Sequence, residues 1–206
     1  MSSAVIARPQ PQVLGDLIAR SSGRAAHAVR DVLLVAGAAG LVGVLAQVSV
    51  RLSFTPVPIT GQTLGVLLAG TALGWRRAAA AMALYAVAGM AGVPWFAGHS
   101  AGYVGASFGY ILGFFAAATA CGFLAERGAD RSVLRSVPAM LAGEILIYAF
   151  GCAWLAIDLH LSASATLADG LTPFLVGDAI KAAIAAGLLP AVWKLAGPRE
   201  QDDPRA

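Results

Sequence analysis

Charge is scarce in this chain. Asp, Glu, Lys and Arg together make up 12% of its 206 residues, about half the ~25% of a typical soluble domain. Hydrophobic residues reach 58% and mean hydropathy is +0.75. A water-soluble globule of this size has no way to hide so much apolar surface, which excludes soluble enzymes, disordered proteins and nucleic-acid binders. The formal charge of +3 carries no nucleic-acid signal, because its basic residues gather at a few turns. Cysteine is equally sparse: Cys121 and Cys152 both lie inside apolar stretches, and read as buried thiols rather than a disulfide framework. Only two lysines occur, Lys181 and Lys194, and neither follows glycine. The Gly-Lys-Ser/Thr of a phosphate-binding loop is therefore missing, and ATP-driven work would need another polypeptide. His27, His99 and His160 are scattered, so no metal cluster is expected. The polar first 30 residues lack the pattern of a cleaved secretory signal, and the apolar run after them is too long for one.

What is abundant is glycine, 24 residues, together with long apolar runs. Small residues let membrane helices approach closely, and a membrane helix needs about 17–25 apolar residues. The spacing predicts an all-α membrane protein with spans at 32–50, two short ones sharing 62–91 around Gly74-Trp75-Arg76-Arg77, then 107–125, 136–157 and 173–196. Arg8, Arg20, Arg24, Arg30, Arg76, Arg77, Arg127, Arg131, Arg135, Lys194, Arg199 and Arg205 then all fall on one side, and the opposite loops hold Arg51 alone. By the positive-inside rule this is a six-helix, multi-pass cell-membrane protein with both termini cytoplasmic. The organisation expected is a cytoplasmic tail at 1–30, a membrane domain at 31–197 and a second cytoplasmic tail at 198–206. Val13, Leu14, Leu17 and Ile18 give the first tail a weak helical pattern, but a disordered tail is the expectation.

Three ionisable residues sit within the spans: Glu144, Asp178 and Lys181. Each costs roughly 2.5–3.5 kcal/mol at a helix centre, so each faces a cavity or a partner. The i, i+3 spacing puts Asp178 and Lys181 on one helix face, in the outer half of the membrane. Such a pair matches a ligand that carries N–H donors together with a carboxylate or carbonyl, or it neutralises itself between helices. Glu144, in the inner half, reads as a structural residue, a hydrogen bond to a neighbouring helix or an inner-leaflet group near water, with a proton-coupled site as the alternative. The outside loop at 92–106 contains Gly98-His99-Ser100-Ala101-Gly102. That matches the G-x-S-x-G of serine hydrolases, but the chain has no room for the central sheet the motif needs. The loop reads instead as a lid over an outward cavity, with Ser100 or His99 donating to a ligand, or as a flexible Gly-rich loop with Trp95 and Phe96 dipping into the membrane interface.

The run Pro56-Val57-Pro58-Ile59-Thr60-Gly61-Gln62-Thr63-Leu64-Gly65-Val66-Leu67-Leu68-Ala69-Gly70 resembles the BioY family, the biotin-specific S components of energy-coupling-factor (ECF) transporters. Gly92-Val93-Pro94-Trp95-Phe96-Ala97-Gly98, Gly109-Tyr110-Ile111-Leu112-Gly113-Phe114 and Gly177-Asp178-Ala179-Ile180-Lys181 continue the resemblance, which covers roughly residues 32–196. It implies an S-component bundle with no enzymatic activity and no cofactor, binding biotin as its transported ligand near the outer face. It places Asp178 and Lys181 on biotin, with Ser100 or His99 from the loop. Tyr85, Tyr110, Trp95 and Phe96 would wall the rings, and Gln62 would support the lid. Some relatives carry a basic residue where this chain has Ile111, so the biotin carboxylate is left to Lys181, Arg51 or loop amides. The implied partners are a transmembrane coupling subunit and two ATPase subunits, with Ala36, Gly40, Ala39 and Gly43 of the first span as docking positions or as ordinary packing. The alternative is a self-sufficient biotin carrier, homo-oligomeric or ion-coupled.

Overall fold

The computed structural model describes residues 12–18 and 23–196. Seven helices carry the described chain: α1 (Arg24–Gln47), α2 (Gln62–Leu73), α3 (Trp75–Met90), α4 (Phe108–Ala125), α5 (Val133–Asp158), α6 (Ala163–Gly170) and α7 (Leu175–Ala196). Between α1 and α2 lies a small antiparallel hairpin, β1 (Ser49–Val50) paired with β2 (Ile59–Thr60). Four helical stretches are long and apolar enough to cross a bilayer: α1, Gly105–Ala125, α5 and α7. Their outward faces carry Val32, Val44, Ile145, Val176 and Ile184, all exposed, as lipid contact requires. The α2 helix, with 12 residues, and α3, with 16, are shorter.

The predicted break between the two short segments falls at Gly74, whose φ of 78° reverses the chain where an L side chain would be strained. Elsewhere the boundaries move. The first helix begins at Arg24 rather than near 32, so part of the expected tail is helical, and it stops at Gln47, where the chain turns into β1. The outside loop expected at 158–172 contains α6, capped by the Ser162 hydroxyl accepting from the Ala165 N–H at 3.3 Å. Residues 13–17 do not trail free. They form a tight turn with Val13 buried, and Arg77 donates to Asp16 at 2.9 Å and to Asp31 of α1 at 3.0 Å. The remainder of the expected tails, at 1–11, 19–22 and 197–206, lies outside the described residues.

Two further contacts gather the basic turns at this same end. The Trp75 N–H donates to Glu126 at 3.2 Å, and the Trp193 indole donates to buried Asp130 at 2.5 Å. The other end holds the hairpin, the glycine-rich loop and α6.

Glycine sets the spacing around α4, the most enclosed of the four long helices. A Cβ on Gly113 of α4 would sit 2.8 Å from the Ile147 Cα on α5, and one on Gly70 of α2 would sit 2.8 Å from the Ala118 carbonyl oxygen. Gly37 on α1 faces open space. Gly113→Ala should therefore overpack the α4–α5 seam and cost about 1–3 kcal/mol, read as a lower Tm of the detergent-purified protein. Gly37→Ala should leave Tm level or raise it. Equal Tm losses would refute the close-packing account.

Asp16 permits a pH test. Burial alone favours its neutral acid, but the Arg77 hydrogen bond and charge, with the N–H groups of Val13 and Gln12, hold the carboxyl below its ordinary value. A depressed folded value means this contact is fully present above the ordinary carboxylate range and is lost as pH falls through the folded value. A dye on Leu17→Cys should report docking at neutral pH and release in acid. Arg77→Gln should move that release to higher pH.

Candidate ligand-binding site

At the end away from the basic turns, a cavity of about 390 Å³ opens between the hairpin, the glycine-rich loop and the upper parts of α4, α5 and α7. That volume is within the range of small-molecule sites. Its polar wall is built on Asp178, held in the first turn of α7 by its N–H bond to the Phe174 carbonyl at 2.8 Å. A carboxylate there gains from the positive end of the helix dipole. It is buried, yet three donors meet it. Thr63 reaches Oδ1 at 2.9 Å, Lys181 reaches the same oxygen at 2.7 Å, and the Tyr148 hydroxyl donates to Oδ2. The Lys181 ammonium also donates to the Thr60 carbonyl oxygen of β2 at 2.5 Å and to Thr63 Oγ1 at 3.2 Å. Removing either member of a buried pair like this leaves the other uncompensated, at a cost of about 3–5 kcal/mol.

The i, i+3 spacing thus yields an ion pair within one helix rather than between helices. It remains open to the cavity, which both side chains line. Tyr110, Ser100, Gln62 and Arg51 line it as well, as does Phe96. The Tyr110 hydroxyl is already committed to the Gly170 carbonyl at 2.6 Å, so the tyrosine offers its ring. The Ser100 hydroxyl donates to the Ala97 carbonyl of its own loop at 2.9 Å, with no histidine hydrogen-bonded to it. Gln62 joins the Thr60 hydroxyl at 2.9 Å to the Tyr85 hydroxyl at 2.7 Å.

Two expected wall residues, Tyr85 and Trp95, and the alternative donor His99 stand behind the wall instead. Tyr85 is fully buried, and its ring packs 5.2 Å from those of both Trp95 and Phe96. The Trp95 indole donates to the Tyr85 carbonyl at 3.0 Å. His99 is absent from the cavity lining: it sits at φ 59°, with its N–H on Gln47 Oε1 at 2.9 Å. These residues fix the glycine-rich loop, and Gln47 adds bonds to the Trp95 and Phe96 carbonyls at 3.1 and 3.2 Å.

Sequence reasoning missed Thr60, Thr63 and Tyr148. The two threonines lie in the Pro58-Ile59-Thr60-Gly61-Gln62-Thr63 run, where an isolated polar side chain entering an apolar helix was the available signal. Tyr148 had only its position one turn after Glu144. The hydrogen bond expected of Glu144 to a neighbouring helix does not form: both carboxylate oxygens are buried and meet no donor among the described residues.

The small-residue pairs of α1 separate. Ala39 is fully buried, and Gly43 lies against Trp95, 3.2 Å from where a Cβ would stand. This pair is internal packing. Ala36 is exposed, and a Cβ on Gly40 would meet nothing within 4 Å.

Residues 18–198 match the model of the BioY family. A biotin transporter BioY of Rhizobium etli is 35% identical over 170 residues, covering 76% of this chain and 89% of that protein. A probable biotin transporter BioY of Pyrococcus horikoshii is 37% identical over 159 residues, with 76% and 91% covered. Among solved structures, the S-component for biotin from an ECF-type ABC transporter superposes with a TM-score of 0.75 at 23% identity, covering 87% of this chain and 97% of the other. With its apolar spans and a family match along nearly all the described chain, this integral membrane protein belongs to the BioY family.

Proposed function

We propose that this chain binds biotin in the cavity beside Asp178 and acts as the substrate-binding membrane subunit for its uptake. The observation that carries the reading is the buried, donor-surrounded carboxylate on the wall of a largely apolar pocket. Biotin has a ureido ring with N–H donors and one acceptor, an apolar thioether ring and an anionic tail. Asp178 retains acceptor capacity beyond its three donors and suits the ureido N–H groups. Lys181 is 2.7 Å from that carboxylate and so meets the same end of the ligand, where it suits the ureido oxygen on exchanging its Thr60 or Thr63 bond. The rings of Tyr110, Phe96 and Phe174 suit the thioether body.

In this reading the chain crosses the membrane six times. The α2 and α3 helices form a short re-crossing pair, because the hairpin and the glycine-rich loop fill the outer part of their depth. The end carrying Arg76, Arg77, Arg127, Arg131, Arg135 and Lys194 faces the cytoplasm of the cell membrane, and both chain ends lie there with it. Energy comes from a separate coupling subunit and two ATPases, docking in part on the open Ala36–Gly40 face of α1.

Equilibrium binding of labelled biotin to the detergent-purified chain tests the site. Wild type should bind, and Asp178→Ala and Lys181→Ala should abolish binding. Tyr148→Phe and Thr63→Val should each weaken it about 10- to 100-fold, since each removes a bond to a charged group worth roughly 1.5–3 kcal/mol. Folded wild-type protein that fails to bind would overturn the reading.

The unpartnered Glu144 carboxylate favours a second reading, an ion-coupled carrier that works alone. It requires biotin uptake into vesicles containing only this chain, lost when the ion gradient is collapsed and in Glu144→Gln. The first reading requires uptake only when the ATPase module is co-reconstituted.

A further inference from the structure

We infer that Arg51 is the carboxylate anchor of the cavity and makes it selective for a ligand with a free acid tail; this inference rests on the biotin reading above. The argument starts from the two cations in the cavity wall, Lys181 and Arg51. Lys181 is spoken for. Its ammonium donates to Asp178, to the Thr60 carbonyl and to Thr63. Its contact with Asp178 also ties it to whichever ligand end Asp178 binds. A ureido head and a carboxylate stand at opposite ends of biotin, so one ion pair cannot receive both.

The other polar groups around the mouth are largely committed. Thr55 donates to the Asp169 carbonyl at 2.7 Å, Tyr103 to the Asp158 carboxylate at 2.8 Å, and Ser100 to the Ala97 carbonyl at 2.9 Å. Arg51 differs from all of these. It lines the cavity and is itself exposed, and it forms no hydrogen bond or ion pair with any described residue. Its guanidinium is a planar fork that fits a carboxylate with paired N–H bonds.

Position adds to the case. Arg51 follows β1 directly, and Gly98 of the glycine-rich loop comes so close that a Cβ there would lie 3.5 Å from Arg51 Nη2. A carboxylate held by Arg51 therefore sits at the seam of the two segments that roof the cavity. The head of the ligand lies against α7 and its tail points to the mouth, with the apolar body between. An amide or ester in place of the acid loses the charge-assisted bonds.

The test compares biotin with biotin primary amide, which keeps head, body and tail length, in equilibrium binding to the full-length purified chain. Wild type should prefer the acid about 10-fold or more. Arg51→Gln should lower affinity for biotin by a similar factor, leave the amide's affinity within about twofold, and so erase the preference. Retained amide binding shows that the variant is folded. Arg51→Lys should keep part of the preference, as a point charge without the fork. Raised salt should narrow the wild-type preference, since the site is near solvent. A wild type that binds both compounds equally overturns the inference, as does an unchanged acid-to-amide ratio in Arg51→Gln. In both cases the biotin reading stands so long as Asp178→Ala abolishes binding. A wild type that binds neither compound overturns both.

Discussion

A carboxylate is tolerated inside an apolar bundle only where donors replace the water it has lost. Asp178 meets that condition through Thr63, Tyr148 and Lys181. These donors come from α2, α5 and α7, and Lys181 carries the network on to the hairpin through Thr60. The upper halves of three helices are thereby set around one atom pair. The cavity is the space left between them and the roof. Its chemistry follows from its construction: the charge that organises the packing is also the charge that lines the cavity.

The opposite end is organised by a different rule. There most charges sit in or beside turns, and Arg77 ties two segments together by pairing with Asp16 at 2.9 Å and with Asp31 of α1 at 3.0 Å. The two ends of the molecule thus separate binding from anchoring. Glycine along α4 lets the helices between them approach closely enough to hold both ends in register, with Gly113 against Ile147 and Gly122 against the Gly74–Trp75 turn.

Much of this could be read from the residues before any coordinates. Apolar runs and basic turns located the long helices and the break at Gly74, because both are consequences of membrane solvation and act locally along the chain. Asp178 and Lys181 stood out because charge in an apolar helix is costly unless it is paired or faces a cavity. What escaped was orientation. Periodicity gave no clear face to helices that are apolar all round, so Tyr148 could not be told from its neighbours. The aromatic residues of the glycine-rich loop announced a role without saying which ring faces the cavity: Phe96 does, while Trp95 packs with Tyr85 of α3 behind it. Gln47, which clamps that loop from the end of α1, carried no signal at all, since its partners are main-chain groups some 50 residues away. The turn at 13–17 was also lost, because its docking depends on Arg77, far along the chain.

The bond from Lys181 to the Thr60 carbonyl has a genetic consequence. Its donor is a side chain and its acceptor is main chain. Any amino acid at position 60 supplies the same oxygen, so a drift in sequence there leaves the tie between α7 and the hairpin intact as long as the strand keeps its path. Position 181 has no such freedom, because no other residue extends an ammonium that far. Inheritance therefore records only one half of this tie. Its other half is stored in the shape of the hairpin, where Ser49 and Val50 pair with Thr60 and Ile59 and hold that oxygen in place.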